Sequence, residues 1–590
     1  MNTIYQKNLA ALQERDLDLA QFIDSLETQA YSVQTAASGQ SYLEIKTENK
    51  GIIRIGDQPN QTGRVQTLIE QQLDQQNQGF FLIFGAGLGN LLTEFFSNFK
   101  KGVCILVERD ARIFKMAMQT QDLSSILAHP GFYPLVAIKP EHLVSRLSKI
   151  MIAANNSNHL PKLYLLQDPQ VVALSQSYYE QVALALKTAV GFFWDGVVGD
   201  SYHDTLLGFQ YSFQNLKQYQ KSLNLTAWKG VAKGQVGLVV SSGPSLLNKL
   251  PWLKENQDRF VIICADSALK LLLEHGIKPF GAGCMERHER VPILFKDYTI
   301  PDDVILFHSP QIMPEIPENY QGQLAPVFRD VLPFSFFPDL LPRFNIGMSC
   351  AHLNIMVLLY LGCERIAFMG QDLAFERESL KSHYEGMYDY ATESDQSKQH
   401  VPVVDNQGGS IMSHEKWIQF REFIELIITH NPGAAFYNVI EKEQGARILG
   451  ASRIDLIDFE KMSANDRVVL PDFKQAQDFM QKKWPDFKDS LQQSLQNLID
   501  GLEQLRGMWP DLEQAQTKQR YFECLSNLEQ RTPDLAWSVF CEVFCSRKKR
   551  FDANVESVFS DDDFQKNSPG YIKEGQSCLE ELLKILKKGF

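Results

Sequence analysis

Twice along the chain, short apolar runs of strand length alternate with segments long enough for a helix. That pattern limits the fold more than any other feature. The first series begins near Gly79, with runs at Phe80–Phe84, Val103–Val107, Leu135–Ile138 and Leu163–Leu166. The second begins at Gly234, with runs at Val236–Val240, Phe260–Cys264, Phe280–Gly283, Val304–Phe307 and Ile366–Gly370. Strand–helix alternation is the signature of a parallel α/β sheet, so each series predicts one Rossmann-like unit. Residues 1–28 read as one amphipathic helix, on the spacing of Leu9, Leu12, Leu17, Ala20 and Ile23. Two strand-like runs follow, Tyr42–Lys46 and Gly51–Ile55, separated by a turn-like ENKG. Residues 170–225 read as a helical connector. Beyond residue 455 the chain is rich in Gln, Leu, Lys and Glu, which favours helix. The expected fold class is α/β: two Rossmann-like domains with mostly parallel sheets plus a C-terminal helical domain, divided as 1–205, 206–455 and 456–590.

Composition excludes several classes of function. With 44% hydrophobic residues the chain can build real cores rather than stay disordered. Its 58 Lys+Arg against 71 Asp+Glu give a net charge of −13, which argues against a nucleic-acid binder. Nine scattered cysteines read as reduced thiols rather than a disulfide framework. The first residues lack the basic-then-apolar pattern of a secretory signal, and no stretch approaches the ~20 apolar residues of a membrane helix. A cytoplasmic protein without stable membrane insertion is expected.

The candidate chemistry sits at strand ends. In the first unit, FLIFGAGLGN puts Gly85, Gly87 and Gly89 at a strand-to-helix turn, and the next strand ends at Glu108. This is either a tight turn or a cofactor loop of methyltransferase type. In the second unit, Ser241-Ser242-Gly243-Pro244-Ser245 lies between strand and helix, where backbone N–H groups and hydroxyls can cradle an anion. Asp266-Ser267, Glu286-Arg287 and Gln371-Asp372 end later strands, and Ser349 opens an apolar helix. Ligands of open α/β sheets sit outside the carboxyl ends of the strands, so these residues point to one cleft. His383, in a polar loop after Asp372, is suited to proton transfer at neutral pH, whereas His308 and His352 read as packed. Asp16-Leu17-Asp18 falls in the first helix rather than at a strand end. No HExxH, CxxC or EF-hand pattern occurs, and no metal site is predicted. Arg547–Arg550 reads as a solvated helix end.

The succession SSGPSL, CADSALKLLLEHGIKP, GCMERHERV and MSCAHLNIMVLLYLGCERIAFMGQDLAF resembles the motility accessory factor (Maf) family of bacterial flagellin glycosyltransferases. DTLLGFQYSFQN, KSHYEG and FYNVIEKEQGARILG extend the likeness, which spans roughly residues 30–455. The central unit also resembles the bacterial sialyltransferases related to family 42, with their GPSL loop and the Gly-x-Asp strand end seen here as Gly370-Gln371-Asp372. The chain departs from the family in Ser382, where Thr is common, and in EKEQG, where an EGG-like run is usual. The resemblance implies a cytoplasmic enzyme that moves a nonulosonic acid, pseudaminic or legionaminic, from its CMP conjugate to Ser/Thr hydroxyls of flagellin. It implies a phosphate on Ser242, Gly243, Pro244 and Ser245, and the nucleotide or sugar on Asp266, Ser267, Arg287 and Gln371. Ser349 and Asp372 would line the cleft, His383 or else Glu286 would act as base, and Asp372 is counted with those two among the catalytic residues. No cofactor is required beyond the CMP-sugar donor. Two alternatives stand beside it: a flagellin-binding chaperone with a degenerate pocket, and an ATP/Mg²⁺-dependent enzyme like the archaeal pterin pyrophosphokinases.

Overall fold

The computed structural model describes residues 3–35, 41–47, 51–56, 78–98, 101–139, 143–144, 146–147, 150, 163–198, 202–330, 335–384, 400–441, 444–463, 466–469, 471–544, 551–552 and 560–588. Arg547–Arg550, Glu385-Gly386 of KSHYEG and Lys442-Glu443 of EKEQG lie outside them. The chain divides into two compact units, Met1–Val197 with Asp552–Phe559, and Val198–Phe551 with Ser560–Phe590.

The first unit opens with two helices, Thr3–Arg15 and Leu17–Ser25, not the single helix expected. Asp16 breaks the run: its backbone is extended, and its carboxylate accepts the Leu19 N–H at 2.9 Å. The apolar spacing continues across the break, so periodicity alone hides a cap. Strands β1 (Tyr31–Thr35), β2 (Ser41–Thr47) and β3 (Gly51–Ile55) form an antiparallel sheet. Strands β4 (Gln78–Phe84), β5 (Lys101–Glu108), β6 (Phe132–Val136) and β7 (Leu163–Gln167) form a parallel sheet in the order β6-β5-β4-β7.

The glycine-rich turn after β4 is packed from within. Gly87 has φ +50°, and a Cβ there would stand 2.9 Å from Asp168 Oδ2. Glu108 is buried, and its two oxygens accept the backbone N–H groups of Ala86 and Asp110, each at 2.9 Å. The acid that could have held a ribose thus holds the turn itself. Burial pushes its carboxyl up to about 8 against those two hydrogen bonds.

In the second unit the helix Tyr202–Tyr219 leads into an eight-stranded sheet. Its strands are β8 (Val236–Val240), β9 (Phe260–Ala265), β10 (Gly281–Cys284), β11 (Ile305–His308) and β12 (Gln323–Pro326), followed by β15 (Arg365–Met369), β18 (Ala435–Val439) and β19 (Ser452–Ile454). Short pairs intervene: β13 (Phe328–Arg329) with β14 (Arg343–Phe344), and the hairpin of β16 (His400–Val404) and β17 (Ser410–His414). The order is β12-β11-β10-β9-β8-β15-β18-β19, with every neighbouring pair parallel. From β8 the chain builds outward to β12, then returns to lay β15 on the other side of β8. The turns after β8 and β15 therefore diverge, and the crevice between them is the sheet's switch point.

β8 and β9 are buried along their whole length and form the core with Leu246, Leu250, Leu269 and Leu272 from the crossover helices. The C-terminal part of this unit is helical: Phe473–Met508, Lys518–Arg531, Asp534–Val543 and Asp561–Lys588. Its first helix is anchored where Trp228 donates to Asp472 O at 3.2 Å and packs at a tilt against Phe473. Among the described residues no helix is long and apolar enough to cross a membrane.

Candidate active site

Ser241–Ser245 leaves β8 beside Gly370–Asp372 leaving β15, and the two turns are zipped together. Ser241 donates through its N–H to Met369 O at 2.8 Å and through its hydroxyl to Gln371 Oε1 at 2.5 Å. Gly243 N–H donates to Gly370 O at 2.8 Å. Asp372 closes the zipper: Oδ2 accepts Ser245 N–H at 2.8 Å, and Oδ1 accepts the Ser245 hydroxyl at 2.5 Å. Behind this pair the buried Lys249 ammonium donates to Ser245 O at 2.6 Å. Burial lowers the Lys249 pKa and raises that of Asp372, and each charge opposes the other's shift.

Two further helix starts reach the same crevice. Ala265 caps the helix Asp266–Glu274, whose Ser267 hydroxyl donates to Ser242 Oγ at 3.0 Å. The Asp266 carboxylate accepts Ser267 N–H at 2.8 Å and the Cys350 thiol at 3.7 Å. Burial, with Glu286 adding to it, pushes Asp266 up to about 6. Ser349 caps the helix Cys350–Leu361 in a capping box, with His352 in the place usually held by Glu or Gln. His352 is buried and His308 likewise; burial lowers both to about 4, so both are neutral packing residues at pH 7.

These parts enclose a cavity of about 270 Å³. Of the residues singled out from the sequence, Ser242, Gly243, Asp266, Ser267 and Glu286 line it, with Ser349, Gln371, Asp372 and His383. His383 Nδ1 lies 2.7 Å from Ser382 Oγ. Three expected residues are placed elsewhere. Pro244 and Ser245 face a neighbouring cavity of about 350 Å³, with the Ser245 amide and hydroxyl turned to Asp372. Arg287 turns to Asp204 of the connector helix, with Nε to Oδ2 at 2.8 Å. Sequence reasoning missed two aromatic residues of the lining, Trp417 and Phe420. They stand one helical turn apart on the helix Glu415–His430, and Trp417 packs edge-on to His383 and tilted on Phe375. His414 caps that helix instead of lining the cavity.

The cavity is therefore lined by hydroxyl- and carboxyl-bearing residues, by helix starts and by two aromatic residues, among others. No Lys or Arg is among its described lining residues. This places a polar crevice at the switch point of a parallel α/β sheet. The family described as 6-hydroxymethylpterin diphosphokinase MptE-like matches residues 210–378, the stretch from the connector helix to just past Asp372. Among solved structures the chain is similar to the MAf glycosyltransferase from Magnetospirillum magneticum AMB-1, at 15% identity and a TM-score of 0.48, over 99% of this chain and 96% of that one. No curated protein matches.

Proposed function

We propose that the crevice binds a CMP-activated nonulosonic acid and transfers the sugar to Ser/Thr hydroxyls of flagellin in the cytoplasm. One observation carries the reading. Three turns or helix starts, at Ser242-Gly243, Asp266-Ser267 and Ser349-Cys350, converge on a cavity whose described lining carries hydroxyl-bearing residues and helix starts but no Lys or Arg. Such a cradle suits a phosphate of low charge, as in a nucleoside monophosphate diester. In the transfer the acceptor oxygen bonds to the anomeric carbon as the carbon–phosphate oxygen bond breaks and CMP leaves. The hydroxyl proton passes to a base, for which His383 is the first candidate and Glu286 the second. His383→Ala is expected to slow transfer by about 100-fold or more with CMP affinity retained. If His383→Ala and Glu286→Gln both transfer at the wild-type rate, the base lies elsewhere.

Asp266 sets a pH dependence. Its folded pKa of about 6 is above the ordinary 3.8, so the fold favours the neutral acid. That contribution is complete below 3.8 and lost as pH rises through about 6. Protonation also removes a negative charge from the cavity. The methyl ester of CMP, whose phosphodiester does not titrate here, should bind about tenfold tighter at pH 5 than at pH 7. Asp266→Asn should flatten the slope, and calorimetry with a persisting slope would assign it to another group.

The family match at residues 210–378 favours a second reading, an ATP-dependent diphosphokinase. Asp266 and Glu286, which line the cavity, would then be the carboxyls on offer to a magnesium-bound triphosphate. Calorimetry separates the readings: CMP binding supports the transferase, ATP–Mg²⁺ binding the kinase, and neither a flagellin chaperone. Intact-mass analysis of flagellin from cells with and without this protein tests the reaction. A nonulosonic-acid increment that survives deletion would refute it.

A further inference from the structure

We infer that Tyr384 is a positioning residue, which fixes His383 over the crevice by tying the His383 segment to both serine-bearing strand ends. The inference rests on the donor-binding reading above and gives a role to the tyrosine of KSHYEG, which is not among the cavity's lining residues. The Tyr384 N–H donates to Ser242 O at 3.0 Å, and its phenol donates to Ser267 O at 3.0 Å. Ser267 in turn donates through its hydroxyl to Ser242 Oγ at 3.0 Å. The three residues close a ring that joins the end of β8, the start of the helix after β9, and the segment after β15. The Tyr384 ring also packs against the hydrophobic core of the sheet, so this anchor is set in rigid structure.

On its other side the segment is held as firmly. Glu376 N–H donates to Lys381 O and Leu380 N–H to Glu376 O, each at 2.9 Å, closing a small loop just before Ser382. Ser382 is buried, with its hydroxyl 2.7 Å from His383 Nδ1. His383 is thus suspended between a closed loop and the Tyr384 anchor. The imidazole is aligned by Ser382 and bounded by Trp417. The carbonyls that Tyr384 grips belong to Ser242 and Ser267, which line the cavity. Placement of the base and of the phosphate cradle are therefore mechanically one unit, which is what an acceptor hydroxyl needs to meet a donor held at near-attack distance.

Tyr384→Phe keeps the ring in the core and removes only the phenol's hydrogen bond. In the full chain, CMP affinity by calorimetry should stay within about twofold of wild type. Amide exchange over residues 381–384 should quicken. With CMP-pseudaminic acid and flagellin, kcat should fall about three- to tenfold, the worth of one neutral hydrogen bond, at unchanged KM. Ser382→Ala should give the same split and decides the matter if Tyr384→Phe does not fold. Wild-type kcat in both variants, unchanged exchange at 381–384, or a loss of CMP affinity equal to the loss of kcat/KM would each overturn the assignment while leaving the donor reading intact. Wild-type protein that binds no CMP would instead sink the donor reading, and this inference with it.

Discussion

Asp372→Ala is expected to loosen the Ser241–Ser245 turn by about 3–5 kcal/mol and to abolish nucleotide binding. The carboxylate accepts both the amide and the hydroxyl of Ser245 and sits beside the buried ammonium of Lys249. Truncation orphans a buried N–H, at about 1–3 kcal/mol, and strips Lys249 of a countercharge. Asp372→Asn keeps one acceptor oxygen but turns an amide donor on Ser245, so about 1–2 kcal/mol should be lost. Since the chain has two compact units, one global unfolding curve would mix their transitions. Hydrogen exchange at the Ser241–Leu250 amides isolates this turn. Wild-type protection there in Asp372→Ala would show that the zipper holds without its carboxylate. The same geometry moves Asp372 away from proton transfer: both oxygens are committed to Ser245, whereas His383 is held on a separate segment over the cavity.

Much of this was legible in the sequence, for a physical reason. Strands buried on both faces must be continuously apolar, so β8, β9, β11 and β15 announce themselves as runs such as VGLVV and FVIICA. Polar residues directly after such runs lie at the carboxyl edge of a parallel sheet, which brought Ser242, Asp266, Glu286 and Asp372 to one cavity. What failed was shorter or depended on a distant partner. β12, β18 and β19 are three to five residues long at or near the outer edges of the sheet and carry Gln, Asn, Arg or Pro, so no apolar run marks them. The facing of Ser245 and Arg287 is set by Asp372 and Asp204, 127 and 83 residues away. Spacing along one strand end cannot encode that. Trp417 and Phe420 were missed because the β16–β17 hairpin lies between them and the end of β15, and an aromatic pair one turn apart reads as ordinary core.

Gly243→Ala should be a strongly damaging single-methyl change in the crevice. The backbone there is extended (φ −66°, ψ 154°), a conformation any residue adopts, so strain is not the reason. The reason is space. A Cβ at Gly243 would stand 2.5 Å from Gly370 O and 2.7 Å from Asp372 Cγ. Neither neighbour can yield cheaply: the carbonyl accepts Gly243 N–H, and the carboxyl is fixed by Ser245. To admit the methyl, the turns after β8 and β15 must separate by several tenths of an ångström, breaking the Gly243–Gly370 bond and misaligning the Ser241–Gln371 pair. Overpacking of this kind costs about 1–3 kcal/mol, and the cradle's donors move with the turn. CMP binding should weaken by more than tenfold, with the circular dichroism of the unit retained. Pro244→Ala, one residue on and facing away from the cavity, should leave CMP affinity within about twofold. If Gly243→Ala binds CMP like wild type, the switch-point turn is not where the phosphate rests, and the donor must be sought elsewhere along the sheet's carboxyl edge.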